Sequence, residues 1–278
     1  MAIRPRPDEG VWIELAGIRG MFSPIPEGET GVRIRDRYER FLVPGRRVRR
    51  PDVRIDLDWR AKGPDWHDTD PEVQEIGGGF RIRGRNFSAL LEPDAGRWRG
   101  RASLLSSPYA FDSLLRVAWS RILLDRGGML LHSAGTISGG RGFSFAGKSG
   151  SGKTTLVRKA PLRDVLSDEI IILRKTSRGF SIHGTPFFGE VGKGGRPVRA
   201  PLAGLYFLEK GAPALRPLPP ARALSRLLGT VLFFSREAAP SARLLALAHD
   251  LVRAVPPAVL SSGLREKYDR ILKRLHGR

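Results

Sequence analysis

Gly147-Lys148-Ser149-Gly150-Ser151-Gly152-Lys153-Thr154 is the stretch on which the reading of this chain turns. It fits the spacing G-x-x-x-x-G-K-[ST] at every fixed position. An apolar run, Phe143-Ser144-Phe145-Ala146, precedes it and a helix-compatible run, Thr154–Lys159, follows, so a strand, a glycine-rich turn and a helix are expected in that order. Glycines let the backbone curl until successive N–H groups point inward, which makes a cradle for phosphate oxygens. In such a cradle the lysine reaches the terminal phosphates and the hydroxyl beside it meets Mg²⁺. Gly147, Lys148, Ser149, Gly150, Ser151, Gly152, Lys153, Thr154 and Thr155 are the candidate phosphate-binding residues.

Fourteen residues beyond Thr154, after the apolar pair Val165-Leu166, comes Ser167-Asp168-Glu169. An acidic pair at a strand end near a phosphate loop can hold Mg²⁺ or take a proton from an attacking hydroxyl, and the residues alone leave both roles open. Spacing narrows the class. Ile137-Ser138-Gly139-Gly140 precedes the glycine-rich loop, so it cannot be the downstream signature of a transporter-type ATPase, and the guanine-reading Asn-Lys-x-Asp is absent.

Upstream, apolar positions Leu115, Ala118, Trp119, Ile122 and Leu123 recur at helical spacing, with Asp112 or Ser113 expected as the cap and Gly127-Gly128 as the stop. Met129–Ala134 is expected as a strand, Ser138–Gly142 as a turn, and Ile170–Leu173 with Phe180–His183 as a hairpin. Downstream, a strand at Leu205–Leu208, a Pro-rich connection at 212–220 and helices near 221–234, 240–254 and 264–275 are expected. The first hundred residues read as strands: Val53–Trp59 alternates with period two, as does Phe80–Arg83, and Pro93-Asp94-Ala95-Gly96 marks a turn before Arg97–Leu105. A β-rich module over 1–108 and a nucleotide-binding domain over 109–278 follow.

The chain has 278 residues, enough for one large or two modest domains with a real core. With 48 Lys+Arg against 28 Asp+Glu the formal net charge is +20, while hydrophobic residues make up 41%, which excludes general disorder. The excess is mostly Arg, spread over every segment as a GC-rich genome would also spread it. Its densest run, Arg46–Arg50, has no interleaved aromatics for base stacking, so an acidic or phosphorylated partner is favoured over nucleic acid. There is no cysteine, which removes disulfides and thiolate chemistry together. No apolar run approaches a membrane span, and the N-terminus lacks a signal-like stretch, so a cytoplasmic address is expected. His67, in an acidic loop, and His249, on a helix face, read as structural.

Taken together, Leu131-His132-Ser133-Ala134-Gly135, the loop Gly147–Thr154, Leu166-Ser167-Asp168-Glu169 and Gly184-Thr185-Pro186-Phe187-Phe188-Gly189 resemble the HPr serine kinase/phosphorylase superfamily. More narrowly they resemble HPr-kinase-related proteins, some of which phosphorylate a peptide serine. The resemblance spans about Leu114 to Gly189 and does not cover the first hundred residues well. It implies an α/β fold with a mixed sheet, similar to the nucleotide-binding core of ATP-dependent phosphoenolpyruvate carboxykinase. It implies ATP and Mg²⁺, a protein or peptide hydroxyl as acceptor, and assembly into homo-oligomers. By the same resemblance Asp168 is the base, His132 the histidine close to it, Lys153 the phosphate lysine, and Thr154, Asp168 and Glu169 the Mg²⁺ ligands. Glu169 stands where a second Asp is usual, and the second glycine-rich signature of the bifunctional members is not recognisable. Gly189–Gly195, with Lys193 and Arg196, reads as a substrate lid or a plain loop. The alternatives to a kinase of proteins are an ATP-driven switch that transfers phosphate only to water, and a kinase of small-molecule hydroxyls.

Overall fold

The computed structural model describes residues 10–45, 50–61, 71–148, 150–189, 195–263 and 266–276. The protein is mixed α/β, with two mixed sheets and, among the described residues, six helices. It divides into two compact units, Met1–Ile122 with Phe233–Ser241, and Leu123–Leu232 with Ala242–Arg278. The division falls at 122 rather than 108 because the helix α2 (Pro108–Asp125) gives most of its length to the first unit.

In the first unit the strands β1 (Val11–Leu15), β2 (Ile18–Ser23), β3 (Val53–Arg60), β4 (Glu72–Ile76), β5 (Gly79–Arg83), β6 (Phe87–Asp94) and β7 (Arg97–Leu105) form one sheet, ordered β1-β2-β3-β7-β6-β5-β4. The β4–β7 run is an antiparallel meander, but β3 joins both β2 and β7 in parallel, so the sheet is mixed. Alternation decides which side chains turn inward: Val53, Ile55 and Leu57 of β3 are buried and Arg54 and Asp58 exposed. The turn between β6 and β7 is tighter than expected. Pro93 and Asp94 stay in the ladder, and only Ala95 and Gly96, both at positive φ, make the reversal.

The helix α2 begins at Pro108, four residues before the expected cap. Ser107 Oγ accepts the Tyr109 N–H at 3.1 Å there, and Asp112 instead turns into the core. Asp112 accepts the Tyr38 hydroxyl at 2.6 Å and meets the Arg37 guanidinium at 2.6 Å. Burial, then the Asp112 charge, push the Tyr38 phenol well above its usual range. Tyr38 closes helix α1 (Gly28–Tyr38), and its ring meets Phe111 edge-on at 5.4 Å. One turn beyond Ala118, Arg121 is 4% exposed and grips Glu75 of β4 with two hydrogen bonds, 2.6 and 2.9 Å, its guanidinium lying 5.6 Å from the Phe80 ring.

The second unit has strands β8 (Gly128–Ser138), β9 (Arg141–Ala146), β10 (Val165–Ser167), β11 (Ile170–Thr176), β12 (Gly179–His183), β13 (Arg199–Glu209), β14 (Ala214–Pro217) and β15 (Ala258–Ser261). β13 is the joint. Its first residues pair with β12, its middle with β9 and its end with β15. Since β12 also pairs with β11, β11 with β8 and β8 with β9, the pairing runs in a closed circuit of five strands. The circuit is narrow. A Cβ on Gly142 would lie 2.0 Å from Ile182 Cγ2, so only glycine lets β9 pass there. Helices α3 (Lys153–Lys159), α4 (Pro220–Leu228), α5 (Ala238–Ala254) and α6 (Tyr268–His276) complete the chain. The helix expected over 221–234 stops at Leu228. Residues beyond it extend instead, Val231 bridging Leu131 and Leu232 N–H donating to Leu130 O at 2.9 Å. The Pro-rich connection contains β14, and β13 starts before Pro201 and runs through it. No helix among the described residues is long and apolar enough to cross a membrane.

Candidate active site

The strand β9 ends at Ala146, opposite Ser133 of β8, and the glycine-rich loop leaves the sheet at that point. Gly150 and Gly152 sit at φ 73° and 103°, a left-handed backbone that side-chain-bearing residues rarely adopt. Gly152 is the residue before α3, whose first member is Lys153. Lys153 is 9% exposed, and its ammonium folds back on the loop, donating to Gly147 O at 2.6 Å and Lys148 O at 3.3 Å. Burial lowers its pKa, and the Glu169 carboxylate opposes that by favouring the charged form. Ser151 N–H donates to Lys148 O at 3.1 Å and tightens the turn. Ser151 Oγ is buried with no hydrogen-bond partner among the described residues. Thr154 is half-buried, while Lys148 and Thr155 are exposed. Ser149 lies outside the described residues.

On its other side β8 pairs with β10 and β11, Ser167 opposite Gly135 and Ile170 opposite His132. Asp168 and Glu169 form the bend between these two pairings. Loop and acidic bend therefore flank the same four residues of β8, His132–Gly135, from its two edges. With neighbouring strands about 4.8 Å apart, the two edges are about 10 Å from one another. The effect of Glu169 on Lys153 registers that closeness. His132 is exposed on β8 between them, and its N–H donates to Thr230 O at 2.8 Å.

The bend is held from below. Ser167 Oγ, 1% exposed, donates to Phe187 O at 2.8 Å and accepts the N–H groups of Glu169 and Ile170, both at 3.3 Å. Thr185 Oγ1 donates to Ile170 O at 2.5 Å. Gly189 N–H donates to Asp168 Oδ1 at 3.0 Å, with Asp168 itself 5% exposed. The segment Gly184–Gly189 is thus stitched along the acidic bend. The sequence marks it as a run of small and turn-forming residues, but the hydroxyl and amide partners become visible only when 167–170 and 184–189 meet.

Lys193 and the interior of the expected lid, 190–194, lie outside the described residues, as do His67 and Arg46–Arg49. Arg196 is described, and its N–H donates to Leu166 O at 3.2 Å. His249 is exposed on α5. Among the described residues no group of three or more His, Asp or Glu side chains could hold a metal ion. The oxygens of Thr154, Asp168 and Glu169 are the hard donors that suit Mg²⁺, which takes the rest of its ligands from water and phosphate. That donor set fits a cation brought in on a nucleotide. No family model matches the chain, and no curated protein matches it.

Proposed function

We propose that this protein is an ATP-dependent phosphotransferase with an HPr-serine-kinase-like P-loop core, acting on a hydroxyl, serine of a protein or peptide. The observation that carries the reading is positional: the glycine-rich loop with Lys153 and the acidic bend 168–169 flank the same stretch of β8 from its two edges, and the Glu169 carboxylate favours the charged form of Lys153. Loop amides and Lys153 take the ATP phosphates, Lys153 exchanging its carbonyl partners for phosphate oxygens. Thr154 and the carboxylates of 168–169 would hold Mg²⁺, which neutralises phosphate charge. The acceptor oxygen forms its bond to the γ-phosphorus as the bond from that phosphorus to the β–γ bridging oxygen breaks, and ADP leaves. The acceptor proton goes to the Asp168 carboxylate, which the Gly189 N–H holds in place through Oδ1. Positioning and charge account for the rate.

The test is incubation of the full chain with γ-labelled ATP, Mg²⁺ and a bacterial lysate, followed by phosphosite mapping. Label on serine that disappears with Asp168→Asn is expected. Label found only in free phosphate would replace the reading with an ATP-driven switch.

A further inference from the structure

We propose that the solvent-facing side of the first sheet is a docking site for an extended acidic peptide segment, gripped by Arg81, Arg83 and Arg101. The inference is read from the first unit alone and stands whether or not the second transfers phosphate. A depression of about 580 Å³ lies on that face across β3, β7, β6 and β5. None of the three arginine side chains makes a hydrogen bond or ion pair with a described residue. The two acidic residues of the depression lie on β3, Asp56 directly across from Arg101, and both are engaged: Asp56 accepts from Arg54 Nε at 3.1 Å, and Asp58 from Ser103 Oγ at 3.2 Å. Arg101 faces Asp56 and Arg83 faces Glu72 of β4 in register, yet the three guanidinium groups close no ion pair with a described residue, so the hollow keeps three cations open to an incoming anion.

Register gives the spacing. Arg81 and Arg83 occupy alternate positions of β5, so their stems leave the same face about 7 Å apart. Arg101 and Arg81 lie opposite Leu90 from its two sides, about 10 Å apart across two strand spacings. Ser88, between Arg83 and Ser103, keeps the floor low. An extended peptide repeats its side chains at the same 7 Å interval, so glutamates at alternate positions meet Arg81 and Arg83 together. Each guanidinium can then take a carboxylate through two parallel hydrogen bonds. Asp56 and Asp58 on β3 would repel a continuous phosphate backbone, and no described aromatic side chain lines the hollow for base stacking. The chemistry selects an acidic peptide over a nucleic acid.

Fluorescence anisotropy of the full chain with a fluorescein-labelled octapeptide of alternating glutamate and alanine tests this. Saturable binding that weakens with salt is expected. Arg81→Gln with Arg83→Gln should weaken it about tenfold, about threefold for each lost surface pair. Arg81→Lys with Arg83→Lys should fall between, and Arg222→Gln with Arg270→Gln, remote in sequence and in the other unit, should change nothing. All these side chains are outside the core, so the thermal midpoint should stay at the parent value. Absence of saturable binding would overturn the proposal. So would equal weakening by the remote pair, the mark of diffuse attraction to the net charge, or tighter binding of an oligothymidylate that is lost with the same two arginines.

Discussion

Each unit buries one cation deeply, and the two are treated in opposite ways. Arg121 in the first unit is closed on both sides, bidentate on Glu75 and covered by the Phe80 ring. Among the described residues, Lys153 in the second donates to main-chain carbonyls of its own loop, and burial pulls its pKa down. A guanidinium held through two hydrogen bonds to a carboxylate has little reason to let go. An ammonium held by carbonyls gains by exchanging them for an anion, because the attraction of opposite charges in a partly buried site adds to the hydrogen bonds. The difference separates a cation locked into a side-chain pair from one held by loop carbonyls, as the proposed phosphate-binding role requires.

The largest effect should come from removing the loop-held cation. Lys153→Ala is expected to lower phosphoryl transfer by about 10³-fold or more, the scale of a charge-stabilising cation in this chemistry, with the thermal midpoint close to parent. A mutant that unfolded instead would make Lys153 a second Arg121 and erase the contrast. Asp168→Asn should leave ATP binding intact by calorimetry and cut turnover by about 10²–10⁴-fold. Turnover near the parent value would move the proton-accepting role to Glu169.

Arg121→Ala inverts the pattern. Breaking a buried pair from one side costs about 3–5 kcal/mol, read as a shift of the denaturation midpoint, while catalysis per folded molecule stays the same. Arg121→Met, which fills the space with apolar surface, should cost less. Should both variants prove as stable as the parent, the Glu75 clamp contributes nothing to the fold.

A third buried basic group sharpens the comparison. The His183 imidazole is pushed down to about 4 by burial and by Arg174 and Arg199, and Ser181 Oγ lies 2.8 Å from its Nε2. Unfolded, the same group takes up its proton near pH 6.5. Its contribution to stability is therefore complete above pH 6.5 and lost as pH falls toward 4, by up to about 3 kcal/mol. His183→Gln should flatten the stability profile between those values. An unchanged slope would show that other groups govern the acid limb.

What the sequence disclosed was mostly local. The loop Gly147–Thr154 is eight contiguous residues whose geometry depends on themselves, and the alternation of Val53–Trp59 reports one buried face, so both were legible. β1, β2 and α1 were not. Val11–Leu15 is a five-residue strand, and α1 is so rich in Arg that its buried positions, Ile34 and Tyr38, are outnumbered. Asp112 shows the limit of local rules: it has the chemistry of a cap, and only Arg37 and Tyr38, far away in the chain, decide that it turns inward. The same holds for Leu232–Phe234, whose apolar character suits a helix until Leu130 offers a backbone partner. Of the candidate site, Lys153 and the acidic pair 168–169 stand out from spacing as expectations, but the support of the bend by Ser167, Thr185 and the Gly189 amide depends on two segments meeting.

The closed strand circuit has a consequence for the order in which this chain can mature. β8, β9, β11 and β12 are all made by residue 183, yet the gap between β9 and β12 stays open until Arg199–Glu209 arrives to pair with both. A nascent chain halted before residue 199 carries the whole glycine-rich loop and the whole acidic bend, but with two bare strand edges. Those edges pair with whatever backbone is offered, so such a fragment should aggregate. The arrival of one strand, more than fifty residues after the loop begins, is what closes the circuit that carries the loop and covers both edges.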